Sequence, residues 1–340
     1  MLLISLFLTV DQIKGQHQIV VFAVDGLLST MIGYRFMPAM NKIMGTGCTT
    51  MKMRTMDATV SEQATWGSIF YSADVSSWGC DKDGCNEVPK AAEILSQSWI
   101  DLLESNANYG VALFSDKPRE IEKVLGRDVE KVDYRSLVFS SSMLHLPGDN
   151  DQRIILFHFS GLNEIGRTSG YDSVNYRAFV ACIDRALFRL TGKLWPLAKN
   201  TTTFMLLSNH GGSGHGHSHF DIKTLQVPFA MWGYGMGKRQ CHIGLLPVET
   251  MQIAPTLFSI FNQSNLIPES SWHDRPIDIP FRAGGANFSD YVANATLAEY
   301  NKYECNVYRA TSYDEMRRNI LFLLSFAVLF MGFMGASMLK

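Results

Sequence analysis

Three short apolar runs constrain this chain more than anything else in it: residues 19–24 (IVVFAV), 153–159 (RIILFHF) and 203–207 (TFMLL). Each has the length of a strand and lacks the polar alternation of a half-exposed one, as strands do in a sheet covered on both faces. Residues 110–114 supply a further strand. Between the strands, residues 91–105, 118–125 and 176–190 carry an apolar face at helical spacing, and residues 37–44 read as a short helix entered through Pro38. Strand and helix therefore alternate, the pattern of a layered α/β domain. Residues 251–261 predict a late helix, and residues 225–233 an edge strand, because Pro228 cannot donate to a ladder.

The chain has 340 residues, and nothing between 16 and 280 reads as a linker or a repeat, so one large domain is expected there. With 30 basic and 32 acidic residues the formal charge is -2, which leaves no electrostatic footprint for nucleic acid. The two ends differ from the middle. Residues 2–10 are apolar with a single serine, the length of a signal-peptide core, and residues 1–15 fit a cleaved leader, although the basic start of such a peptide is missing. Residues 320–339 are uncharged and long enough to cross a hydrocarbon core of about 30 Å. Residues 281–319 read as a polar stalk before that tail. Arg317 and Arg318 precede the tail, against the usual charge bias for a single-pass anchor, while Ala310-Thr311-Ser312 and the spacer after it fit a GPI signal. Both anchors stay open. Six cysteines (Cys48, Cys80, Cys85, Cys182, Cys241, Cys305) and glycosylation sequons at Asn200, Asn262, Asn287 and Asn294 suit disulfides and glycans in an oxidising lumen. The expected location is the secretory pathway, with the domain at the cell surface or on the lumenal side of a membrane.

Each central strand ends in polar chemistry, and in sheets of this kind ligands collect at strand ends. The first ends in Asp25-Gly26, where the carboxylate is either a ligand or the closure of an Asx turn. The second ends in Ser160-Gly161-Leu162-Asn163-Glu164-Ile165-Gly166-Arg167. The third runs into a turn that holds four of the nine histidines: His210, His215, His217 and His219. Its glycines would let His210 and His217 converge on a divalent metal; a solvated His/Gly loop with adventitious affinity is the plainer reading. Ser61 precedes an apolar helical face and is either an N-cap or a nucleophile.

In this order, the strand ending in Asp25-Gly26, the helix after Pro38, Thr59-Val60-Ser61 followed by Trp66-Gly67-Ser68, the His210-Gly211-Gly212 turn, Ile253-Ala254-Pro255-Thr256 and Arg275-Pro276-Ile277 resemble the type I phosphodiesterase/nucleotide pyrophosphatase family of the alkaline phosphatase superfamily. The resemblance implies an alkaline-phosphatase-like three-layer sandwich, with a central, mostly parallel sheet and helices on both faces. It also implies two zinc-like ions held by three Asp and three His, and a Ser or Thr that attacks phosphorus. Asp25 falls on the first aspartate, His210 on the histidine beside the third, His217 on the last histidine, and Ser61 on the nucleophile. The chain departs from that pattern at three ligand positions: Asn163, Arg167 and Asn209 stand where the family has Asp, His and Asp. Thr65 takes the place of a phosphate-binding Asn, one residue out of register.

A neutral amide is a weak ligand and a guanidinium is none. The resemblance with these departures implies a membrane-anchored pseudoenzyme, with at most one weakly bound zinc-like ion. It would bind a phosphorylated small molecule or phosphodiester, or a protein partner, with Arg167 and Thr65 on the phosphate. Two alternatives accompany this reading: an active phosphodiesterase with substitute ligands such as Glu164, His215 or His219, and a purely structural surface protein.

Overall fold

The computed structural model describes residues 18–33, 36–44, 47–55, 62–72, 97–107, 109–132, 152–194, 201–216, 221–234, 236, 241–243, 248–261, 263 and 276–277. The expected leader, stalk and tail, residues 91–96 of the expected third helix, the asparagines of the four sequons and Ser61, His217 and His219 lie outside them.

The strands are β1 (Gln18–Val24), β2 (Cys48–Arg54), β3 (Gly110–Ser115), β4 (Glu130–Lys131), β5 (Arg153–Phe159), β6 (Thr202–Ser208), β7 (Gln226–Gly233), β8 (Cys241–His242) and β9 (Val248–Glu249). They form one sheet in the order β4-β3-β5-β1-β6-β7-β2-β8, with β9 also on β2. β1, β3, β4, β5 and β6 pair in parallel, and β7 is antiparallel to both β6 and β2. β6 is buried along its whole length and β1 at every position after Gln18, which is why their sequences show no alternation.

The helices are α1 (Pro38–Met44), α2 (Glu62–Tyr71), α3 (Trp99–Ala107), α4 (Pro118–Leu125), α5 (Gly161–Ser169), α6 (Val174–Leu194), α7 (Ile222–Leu225) and α8 (Ile253–Ile260), with 3-10 turns at Ser29–Met31 and Thr250–Gln252. Successive side chains of β1 point to opposite faces. Ile19, Val21 and Ala23 enter a core with Trp66 and Phe70 of α2, Trp99 and Leu103 of α3, Ile121 of α4 and Leu257 of α8. Val20, Phe22 and Val24 enter a second core with Met40 of α1, Leu162 of α5 and Tyr176, Val180 and Leu187 of α6. This is the three-layer α/β arrangement expected from the sequence.

The expected edge position of residues 225–233 is overturned, since β7 lies between β6 and β2. Its proline is tolerated for a local reason. The β6 ladder stops at Ala230, and Pro228 sits where the β2 register shifts between Thr50 and Met53, a bulge that asks no donor of it. The late helix also starts later than expected, with the Thr250–Gln252 turn leading into α8.

Candidate functional site

Strand register brings the site together. Ala23 of β1 is in register with His158 of β5 and Leu207 of β6, and His158 with Ser115 of β3. In-register residues share a face, and so do residues two apart. Asp25 and Asn209, two beyond Ala23 and Leu207, therefore continue the face that carries Ser115 and His158, at the carboxyl ends of four adjacent parallel strands.

Asp25 is 1 % exposed and His158 is fully buried. The Asp25 Oδ1 accepts the indole N–H of Trp66 from α2, and Oδ2 lies 3.4 Å from Nε2 of His158. The other imidazole nitrogen, Nδ1, is 2.9 Å from Ser115 Oγ. Burial works against a charge on His158, but Asp25, with Asp116 and Glu120 farther off, outweighs it and holds the imidazole above its ordinary pKa. Trp66 packs edge-on against His158 at 5.4 Å and 81°.

Asn209 is buried and wired into the same cluster. Its Oδ1 accepts the backbone N–H of Gly26 at 3.2 Å and of His210 at 2.9 Å, and its Nδ2 donates to Thr65 Oγ1 at 3.3 Å. His210, also buried, directs Nδ1 at the Gly211 carbonyl, 2.7 Å away. That bond places the ring proton on Nδ1. Burial, with the Arg167 charge adding to it, holds His210 below its usual pKa against the pull of Asp25 and the Gly211 carbonyl. Asn163, in the first turn of α5, accepts from the Tyr171 hydroxyl. Gly26, at φ +70, lets the β1 turn come close to Asn163, whose Cα lies 3.2 Å from the position of an added Cβ.

Beside this buried cluster opens a cleft of about 520 Å³ lined by Lys117, Glu120, Ser160, Asn163, Glu164, Arg167, Thr168 and His215. Asp116 accepts from Ser160 N at 2.8 Å and Gly161 N at 2.9 Å, which caps α5. Lys117 pairs with Glu164 at 2.6 Å, and His215 Nδ1 is 3.1 Å from the Arg167 carbonyl oxygen. Burial raises the Glu120 carboxyl above its ordinary range, Asp25 adds to it, and Lys117 and His158 oppose it.

Of the residues singled out in the sequence, Asp25, Thr65, Asn209 and His210 meet in the buried cluster, and Asn163 and Arg167 line the cleft; Ser61 and His217 lie outside the described residues. The sequence reading missed His158, Asp116, Lys117 and Glu120. Its available signal was one imidazole in an otherwise apolar strand, RIILFHF.

The donor set does not fit the two-ion centre of the implied family. Both Asp25 oxygens face protein groups, the Asn163 and Asn209 carbonyls each accept protein donors, and Arg167 cannot ligate. Among the described residues no group of three or more His, Cys, Asp or Glu is placed to hold a metal ion. No helix among them is long and apolar enough to cross a membrane.

No family model and no curated protein sequence matches the chain. Solved structures do. A 2-O GAG sulfatase superposes with a TM-score of 0.57 at 10% identity, over 76% of this chain and 73% of its own. A Bacteroides thetaiotaomicron protein of glycosaminoglycan metabolism gives 0.54 at 12% identity, over 80% and 75%. The C-terminal periplasmic domain of a phosphoethanolamine transferase from Campylobacter jejuni gives 0.53 at 14% identity, over 79% and 96%. Together with the sheet order and the two helical layers, these likenesses show that the chain shares the α/β fold of these sulfatase and transferase structures.

Proposed function

We propose that this protein is a non-cytoplasmic, membrane-tethered domain that binds a phosphoester in the cleft beside α5 and hydrolyses it weakly or not at all. The observation that carries the reading is the cleft lining. Arg167 and Lys117 bring two cations to one opening at the carboxyl end of β5, while the Ser160 and Thr168 hydroxyls on its lining donate to Asp116 and to the Glu164 carbonyl. A guanidinium offers planar paired donors to phosphate oxygens, and Lys117 adds a point charge where phosphate competes with Glu164 for its ammonium. Weak turnover follows from the neighbouring cluster, where the ligands that would activate a nucleophile through a metal are changed or engaged. Thr65, assigned to phosphate by the resemblance, is buried and accepts from Asn209, so in this reading it holds the cluster and leaves the phosphate to the cleft.

The reading of an active enzyme with substitute ligands has less support, because Glu164 is paired with Lys117. The lumenal placement is supported by the apolar residues 2–10 that fit a leader, by the sequons, by the lack of free cysteines among the described residues, and by the periplasmic origin printed for one structural relative. Tethering rests on residues 320–339, and either a single-pass helix or a GPI signal serves it.

Calorimetric titration with inorganic phosphate and with a simple phosphodiester tests the reading. Arg167→Ala is expected to weaken affinity about tenfold or more, as loss of a charge-assisted pair worth roughly 1.5–3 kcal/mol would do. Rapid cleavage of the diester by the unmodified protein, or unchanged affinity in Arg167→Ala, overturns it.

A further inference from the structure

We propose that this centre is closed by the chain itself: the Trp66 indole and the His158 imidazole close off the Asp25 carboxylate, so the centre stays shut to metal even when its lost ligands are put back. This goes beyond the phosphoester reading, which concerns the adjoining cleft and stands or falls on a different measurement.

A carboxylate 1 % exposed is costly to bury unless it is paired and hydrogen-bonded. In the implied family, dications would supply that compensation. Here the indole N–H takes Oδ1, and His158 stands 3.4 Å from Oδ2. An indole nitrogen is a donor only, so Trp66 blocks Oδ1 without being able to ligate. Neither partner is free to swing aside. Trp66 is 2 % exposed in the core cluster and packs against Phe70 at 5.9 Å, while the fully buried His158 ring is held between Ser115 Oγ at Nδ1 and the edge of Trp66. The pairs also tie α2 and β5 to the end of β1, the crosslinking that a shared ion would otherwise provide.

The test is zinc retention after dialysis and the thermal midpoint with added zinc or EDTA, measured on the full chain in detergent. Three proteins are compared: the unmodified chain, the reversion Asn163→Asp/Arg167→His/Asn209→Asp, and that reversion with Trp66→Phe. The first two are expected to retain no zinc and to show the same midpoint in zinc and EDTA. The third is expected to gain a zinc-dependent rise of several degrees. Stoichiometric zinc in either of the first two, lost on Asp25→Asn, overturns the proposal. So does a third protein that behaves like the second.

Should the third protein fail to fold, the Trp66 indole N–H resonance of the unmodified chain decides. Slow solvent exchange that is insensitive to zinc and lost in Asp25→Asn supports the proposal. Exchange as fast as for an open indole refutes it.

Discussion

Tyr171 shows how closely the polar cluster is fitted. Its ring lies against Gly166 and Gly212, and its hydroxyl donates to Asn163. A Cβ on Gly166 would come within 2.7 Å of that ring, and one on Gly212 within 2.3 Å. Gly166→Ala or Gly212→Ala must therefore push the ring off Asn163, and each is expected to lose about 1–3 kcal/mol by overpacking. Tyr171→Phe keeps the packing and removes one donor, for a loss of about 1 kcal/mol. Urea midpoints of the three variants check this order, which fails if Tyr171→Phe proves the most damaging.

Helix α5 is the element on which the cleft depends, because it carries both Asn163 and Arg167. Its first amides are capped from another strand: Asp116, just beyond β3, accepts from Ser160 N, Ser160 Oγ and Gly161 N. A carboxylate there satisfies donors left open by the helix and complements its dipole. Asp116→Ala is expected to cost about 0.5–2 kcal/mol of stability, within the range of a lost N-cap. It should also speed amide exchange at residues 160–163 and weaken phosphate binding. Unchanged exchange in that turn would show that the cap contributes nothing.

For the whole molecule, the core behind α2 and α3 sets an alkaline limit. Burial raises the phenol of Tyr71 to about 12, with Asp101 adding to it and Arg127 opposing, and burial raises Tyr109 to about 12 as well. Both groups are neutral when folded at a pH where the unfolded chain, with a phenol pKa near 10, has begun to ionise them. Their contribution is complete below about pH 10 and is lost as pH rises toward 12. Stability measured from pH 8 upward should hold to about 10 and then fall, and Tyr109→Phe should soften the fall. A flat profile through pH 12 would contradict the burial of these phenols.

The layered α/β architecture was legible in the sequence, because unbroken apolar strands and single-faced helices are local patterns forced by burial. β1, β5 and β6 fall within one residue of where the runs place them, and α4 begins and ends at the expected residues, opened by Pro118 and closed by Gly126 at φ +65. The strand-end positions of Asp25, Asn163, Asn209 and His210 were legible for the same reason. What those residues do was decided only by the tertiary structure. Asp25 and Trp66 are 41 residues apart, and Ser115 and His158 are 43 apart; they meet through strand register and helix packing that no local pattern encodes. The same holds for Pro228, whose interior place in the sheet depends on a bulge in β2, a strand from a distant part of the chain. Burial can be read from composition and spacing because it acts on each segment separately. Pairing cannot, because a hydrogen bond or ion pair is set by which segments the fold brings within about 3 Å of each other.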